Sequence, residues 1–178
     1  MAPSAKFCKW PFGFATCGGA GNDILKGGSG RDRLFGEAGD DRLSGGLEND
    51  ILVGGEGKDQ LIDASDTNLL IGGNGSDKLT GGSGDDLLIA GRTDFDTDLT
   101  GLTNILNEWT STTTSYADRV DHLKGSVGGL NGTTFLTTET VHNDGVKDVL
   151  KGGKGTDWFI LSTLDTLDLK TGEQSLTV

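Results

Sequence analysis

The sequence predicts an all-β protein, a roll of stacked nine-residue repeats interrupted by a small helical insertion. Three observations carry that expectation. A nine-residue period runs without a gap from Gly18 to Ile89, its sixth column is aspartate and its eighth is leucine almost throughout, and both columns return in register at 143–160. Composition agrees. The 178 residues include 31 glycines but only two prolines, without the three-residue period of collagen. Hydrophobic residues make up 33% and the formal net charge is −12. With so much glycine entropy to offset, apolar burial alone is undersized for the whole chain, and a cation is the natural additional support for an acidic protein. The same charge repels phosphate backbones and anionic membranes, so no nucleic-acid partner is expected. No stretch approaches the roughly 20 apolar residues of a membrane span.

The lines read GGAGNDILK, GGSGRDRLF, GEAGDDRLS, GGLENDILV, GGEGKDQLI, DASDTNLLI, GGNGSDKLT and GGSGDDLLI, then NDGVKDVLK and GGKGTDWFI after the interruption. Their sixth positions are Asp23, Asp32, Asp41, Asp50, Asp59, Asn68, Asp77, Asp86, Asp148 and Asp157. A glycine linker does not hold one carboxylate and one large apolar residue at a constant interval. Glycines at the first, second and fourth positions permit left-handed or crowded backbone in a tight turn. Positions seven to nine read as a short strand whose central leucine points to one face, while flanking Lys26, Arg33, Arg42, Gln60 and Lys78 suit the other. Two such units make a coil of 18 residues, and stacked coils bury the leucines between two parallel sheets. Turns two lines apart then lie about 4.8 Å from each other, so the aspartates form two acidic columns. Carboxylates this close need a counter-ion. Flexible coordination by carboxylate and carbonyl oxygens favours Ca2+ over Mg2+, and the lack of repeated His or Cys disfavours zinc.

These lines resemble the RTX (haemolysin-type) calcium-binding nonapeptide GGxGxDxUx. The resemblance implies a right-handed parallel β-roll with Ca2+ held between turns by Asp23, Asp32, Asp41, Asp50, Asp59, Asp77, Asp86, Asp148 and Asp157 together with turn carbonyls. There are departures. Glu37 and Glu48 replace glycines, the sixth line has none, and Asn68 is neutral where a carboxylate belongs. The two sites flanking Asn68 are therefore expected to be empty, weak or rearranged.

Residues 90–142 break the period. Leu99, Leu102, Ile105, Leu106 and Trp109 form a helical stripe preceded by Asp94, Asp96 and Asp98 as capping candidates, and a second helix is expected from about Ser115 to Leu123. The Asp94-x-Asp96-x-Asp98 spacing is like the start of an EF-hand loop but lacks its sixth-position Gly and twelfth-position Glu. LNGTTFLTTETV (130–141) reads as β-prone. The lobe is expected to pack on the side or end of the roll. EWTS (108–111), SYADRV (115–120), LNGTTFL (130–136) and DWF (157–159) resemble a terminal block of large RTX-like surface proteins of Planctomycetes, which implies a module of an exported protein and no catalysis.

Residues 1–17 and 161–178 are expected to cap the first and last coils, through Trp10, Phe12 and Phe14 at one end and Leu161, Leu164, Leu167 and Leu169 at the other. Cys8 and Cys17 admit a disulfide loop, free thiols or part of a metal site. The apolar run near the start is broken by Lys9, Pro11 and Gly13 and does not read as a signal peptide. The tail is also a candidate signal for a type I exporter, as in RTX proteins. No GxSxG, HExxH, GxGxxG or Walker pattern occurs, and His122 and His142 stand alone, so no enzyme is expected. The third positions are too irregular for an ice-binding face. The expected function is a secreted or cell-surface calcium-binding module, with calcium ions as its partner, that folds outside the cell and stabilises or anchors an exported protein. The alternative is the RTX tail of a secreted protease or lipase whose catalytic domain lies outside this chain.

Overall fold

The computed structural model describes the backbone of residues 6–10, 13–126 and 128–178, with side chains from Ala15 onward in those ranges. Successive repeat strands alternate between two sheets. The first sheet takes β1 (Lys6–Trp10), β2 (Gly13–Ala20), β4 (Arg33–Ala38), β6 (Ile51–Glu56), β8 (Leu69–Asn74), β10 (Leu87–Ile89), β14 (Trp158–Leu161) and β16 (Gln174–Thr177), in that spatial order. The second takes β3 (Ile24–Ser29), β5 (Arg42–Leu47), β7 (Gln60–Ile62), β9 (Lys78–Ser83), β13 (Val149–Lys154) and β15 (Thr166–Leu167). Apart from the antiparallel β1–β2 pair at one edge, every pairing in both sheets is parallel. Many repeat strands exceed three residues because pairing continues through the two glycines that open the next line: Leu25 faces Leu43 and Gly28 faces Gly46 in one ladder.

The eighth-position residues Leu25, Leu34, Leu43, Leu52, Leu61, Leu70, Leu79, Leu88, Leu150 and Phe159 form one continuous buried cluster between the sheets. Each buried Leu contributes roughly 1.5–3 kcal/mol. A single leucine per line is enough because each shares its layer with a leucine from the opposite sheet.

The roll continues across the interruption. β13 pairs with β9, Leu150 opposite Leu79, and β14 pairs with β10, Phe159 opposite Leu88. The tail extends both sheets by one strand each, β15 on β13 and β16 on β14. Leu161 is buried and Leu167 packs on the leucine cluster, whereas Leu164 and Leu169 are exposed. Polar residues of the tail turns, described below, do more at this end than those two leucines.

The lobe lies on the outer face of the eight-stranded sheet. Helices α1 (Leu99–Trp109) and α2 (Tyr116–Leu123) bury Leu102, Ile105, Trp109, Val120 and Leu123 against Ile51, Leu69, Ile71, Leu87, Ile89 and Trp158. The sequence carries the cause. Four of the five repeat lines feeding this sheet have apolar residues on both sides of the central residue (Ile51 and Val53, Leu69 and Ile71, Leu87 and Ile89, Trp158 and Ile160), and the fifth pairs Arg33 with Phe35. Lines feeding the other sheet mostly have Lys, Arg, Gln, Ser or Thr there. One sheet is thus built to be covered and the other to face water. Trp109 fixes the docking. Its ring lies 6.0 Å from Trp158 and 5.6 Å from Tyr116, and its Nε1 donates to the Asp85 carbonyl at 2.8 Å. Arg119 stacks 4.9 Å from the Trp109 ring and pairs with Asp85 at 3.0 Å.

The Thr-rich stretch 130–141 is not a strand before Val141. It forms turns in which Asn131 Nδ2 donates to the Thr134 carbonyl (2.7 Å) and Thr140 Oγ1 to the Phe135 carbonyl (2.6 Å). Short polar side chains that bond nearby backbone compete with a sheet ladder, and here they win. Only β12 (Val141–His142) pairs, antiparallel with β11 (Arg92–Thr93), closing the neck of the excursion.

Candidate metal centre

The sixth-position residues stack as two ladders. In one, the Asp23 N–H donates to Asp41 Oδ1 (2.7 Å), Asp41 to Asp59 (2.7 Å), Asp59 to Asp77 (2.8 Å), Asp77 to Asp148 (2.7 Å) and Asp148 to Asp165 (2.8 Å). In the other, Asp32 donates to Asp50 (2.7 Å), Asp50 to Asn68 (2.8 Å), Asn68 to Asp86 (2.9 Å) and Asp86 to Asp157 (2.8 Å). Each ladder carboxylate after Asp23 and Asp32 thus commits one oxygen to the backbone of the coil before it. The other oxygen, Oδ2, is buried without a hydrogen-bond partner in Asp23, Asp32, Asp41, Asp50, Asp59, Asp77, Asp86 and Asp157. An anionic oxygen buried this way costs several kcal/mol unless a positive charge meets it.

The glycines show what surrounds these oxygens. A methyl group on Gly54 would lie 2.4 Å from Asp59 Oδ2 and 2.4 Å from the Gly72 carbonyl oxygen; on Gly36 it would lie 2.4 Å from Asp41 Oδ2 and 2.5 Å from the Gly54 carbonyl. Carboxylate and carbonyl oxygens from turns two lines apart therefore converge on the first-position glycines Gly18, Gly36, Gly54 and Gly72, and only a residue without Cβ leaves them room. Second- and fourth-position glycines have another reason: Gly55 and Gly57, for example, have φ of 112° and 131°. The Ala90 carbonyl stands 2.4 Å from the same point on Gly72, so the excursion begins only after that turn has its oxygen.

Burial is the first cause that raises these carboxyls above their ordinary value. Asp59 is pushed up to about 6, Asp50, Asp148 and Asp157 to about 7, Asp77 to about 8 and Asp86 to about 9, and neighbouring carboxylates add to the shift. The set fits a hard, oxygen-seeking divalent cation. Among the described residues no three His, Cys, Asp or Glu side chains gather as a metal cage, so an ion between turns must combine carboxylates with backbone carbonyls, the ligands that suit Ca2+ and not zinc.

Two parallel sheets, leucine-filled and edged by paired carboxylates at an 18-residue interval, define a parallel β-roll of calcium-binding repeats. The family model of the RTX calcium-binding nonapeptide repeat (4 copies) matches residues 18–52, 39–62 and 62–94. These are RTX calcium-binding repeats, and their ion is Ca2+. No curated protein and no solved structure matches the chain.

Other residues singled out from the sequence are dispersed. Asp98 caps α1 by accepting from Thr100 N at 3.0 Å, Asp96 accepts from Thr93 Oγ1 at 2.6 Å, and Asp94 pairs with His142 at 2.7 Å. The three carboxylates therefore serve separate local contacts. His122 Nδ1 meets Glu108 Oε1 at 2.7 Å, inside the lobe. Cys17 is disulfide-bonded. The side chains of Cys8, Trp10, Phe12 and Phe14 lie outside the described residues.

Sequence reasoning missed Asp165 and Asp168, which accept from Asp148 N and Gly152 N at 2.8 Å each and extend the hydrogen-bonding of the turns into the tail. Asp63 is set aside by the sequence pattern, because it stands at a turn position where the repeat normally offers backbone. The Asp165 spacing, 17 residues beyond Asp148, was the available signal, hidden because the tail has no glycine pattern.

Proposed function

We propose that this chain is a Ca2+-dependent folding module that works outside the cell, where it stabilises or anchors an exported protein, and that it carries no catalytic step itself. The ligands are the oxygens of Asp23, Asp32, Asp41, Asp50, Asp59, Asp77, Asp86, Asp148 and Asp157 with the first-position carbonyls beside them. One observation supports this above the others: eight buried carboxylate oxygens in register lack any hydrogen-bond partner. In the calcium-poor cytosol their repulsion and desolvation oppose folding; at millimolar extracellular calcium the ions offset both. The disulfide at Cys17 supports an oxidising destination. Site affinities around 10⁻⁴–10⁻³ M are expected for extracellular modules.

Calorimetric titration with CaCl2, paired with far-ultraviolet circular dichroism, tests the reading. Binding of several ions with a coil-to-β transition is expected. A spectrum and a melting point indifferent to chelator would exclude it.

A further inference from the structure

The sixth line departs most from the repeat, and there the structure supplies a different ligand. In the turn of the fourth line, a methyl group on Gly45 would lie 2.3 Å from Asp50 Oδ2, as the repeat requires, and 2.0 Å from Asp63 Oδ2. The corresponding position on Gly36 or Gly54 meets a carbonyl oxygen of the turn two lines on. Asp63 stands at the first position of its line, where glycine is the rule, and its side chain reaches back into the preceding coil of the same column. Its Oδ1 accepts from Ala64 N at 2.7 Å and Gly46 N at 3.3 Å. Its Oδ2 has no partner, nor does Asp50 Oδ2, and the two residues are 3% and 0% exposed.

The other side of this turn is arranged differently. Asn68 Nδ2 donates to the Ser65 carbonyl (3.0 Å), the Asp66 carbonyl (3.2 Å) and Asp86 Oδ1 (3.1 Å). Two turn carbonyls and one oxygen of the Asp86 carboxylate, Oδ1, are thereby met by an amide.

We propose that Asp63 is a calcium ligand which, with Asp50, rebuilds the site between the fourth and sixth lines, restoring the negative charge that Asn68 lacks. The inference rests on the calcium reading above. It makes specific the expectation that the sites flanking Asn68 are empty, weak or rearranged: the site toward Asp50 is rearranged around a substitute carboxylate, while the one toward Asp86 is closed by the Asn68 amide. Two buried carboxylates facing each other have two ways to coexist, a shared cation or a shared proton, and the experiment separates them.

The full chain and its Asp63→Asn and Asp63→Gly variants are dialysed against saturating CaCl2 at pH 7.5, and bound calcium per chain is counted by elemental analysis. Circular dichroism in the same buffer checks the fold. Both variants are expected to hold one ion fewer than the parent, even though Asp63→Gly moves the line toward the repeat consensus. An unchanged count in folded Asp63→Asn overturns the role of Asp63 and leaves the calcium reading intact. No bound calcium in the parent overturns the calcium reading itself. If neither variant folds, anomalous diffraction from parent crystals grown in calcium decides: a peak between Asp50 and Asp63 supports the site, and its absence there with peaks elsewhere in the ladders overturns it.

Discussion

At the scale of single residues, the repeat's three glycines answer to two different constraints. First-position glycines leave room for converging oxygens, whereas second- and fourth-position glycines take positive φ. The exceptions follow. Glu37, Glu48 and Asp66 stand at second or fourth positions and are forced to φ of 75°, 73° and 68°. Left-handed backbone costs an L-residue about 1–2 kcal/mol, partly offset when glycine's greater unfolded-state freedom is counted. Glu37 is exposed, so Glu37→Gly is expected to raise stability in calcium by about 0.5–1 kcal/mol, read from denaturant midpoints at unchanged m. A loss of stability would show that the Glu37 side chain does something its conformation does not reveal. Asp63 marks the limit of reading residues from the repeat. Nothing in DASDTNLLI says that its first residue points into the neighbouring coil, because the pattern assigns that position to backbone. Only the stacked turn shows the carboxylate beside Asp50.

At the scale of elements, the leucine column and both acidic ladders were legible because they obey one short period. The covered face of the eight-stranded sheet was legible too, but at twice the period. Phe35, Val53, Ile71, Ile89 and Ile160 recur every other line, alternating with Lys26, Ser44, Ile62, Thr80 and Lys151 on the other sheet, where only Ile62 is apolar. Read line by line, the basic residues make every outer face look solvated. The Thr-rich segment misled because β propensity describes a side chain packed on a sheet, and these threonines bond to local backbone instead. The two apolar clusters are separate layers, and that separation has a consequence. Trp109→Ala removes a fully buried ring and its bond to the Asp85 carbonyl, at a cost of roughly 3–5 kcal/mol. Hydrogen exchange should then accelerate in α1 and α2 while the strands β3, β5 and β7 of the opposite sheet keep their protection. Equal loss in both regions would mean that lobe and roll fold as one unit.

At the scale of the whole molecule, the ion-free roll is held together against its own charge. Asp50, Asp59, Asp77, Asp86, Asp148 and Asp157 have folded-state pKa values between about 6 and about 9 against an ordinary value of 3.8, with burial the leading cause. A carboxyl raised on folding binds more protons in the native state. Its contribution is therefore fully present below the unfolded value and is lost as pH rises through the folded one. Without calcium, the protein is expected to be more stable at pH 5 than at pH 8, and calcium binding is expected to weaken over the same descent as protons compete for the ligands. At a pH where circular dichroism finds the ion-free chain still folded, titrations in buffers of different ionisation enthalpy should show protons released on binding; none released there would mean that the carboxylates are already ionised in the ion-free fold. The central claim is that calcium is part of the folded structure, and the dependence of unfolding on free calcium tests it most directly. An ion that binds only the native state stabilises by mass action, so the slope of the logarithm of the unfolding constant against the logarithm of free calcium counts the ions lost on unfolding. The slope is expected to be negative and to correspond to several ions per chain through the millimolar range. A slope of zero, with the chain folded in chelator at pH 8, would contradict the account.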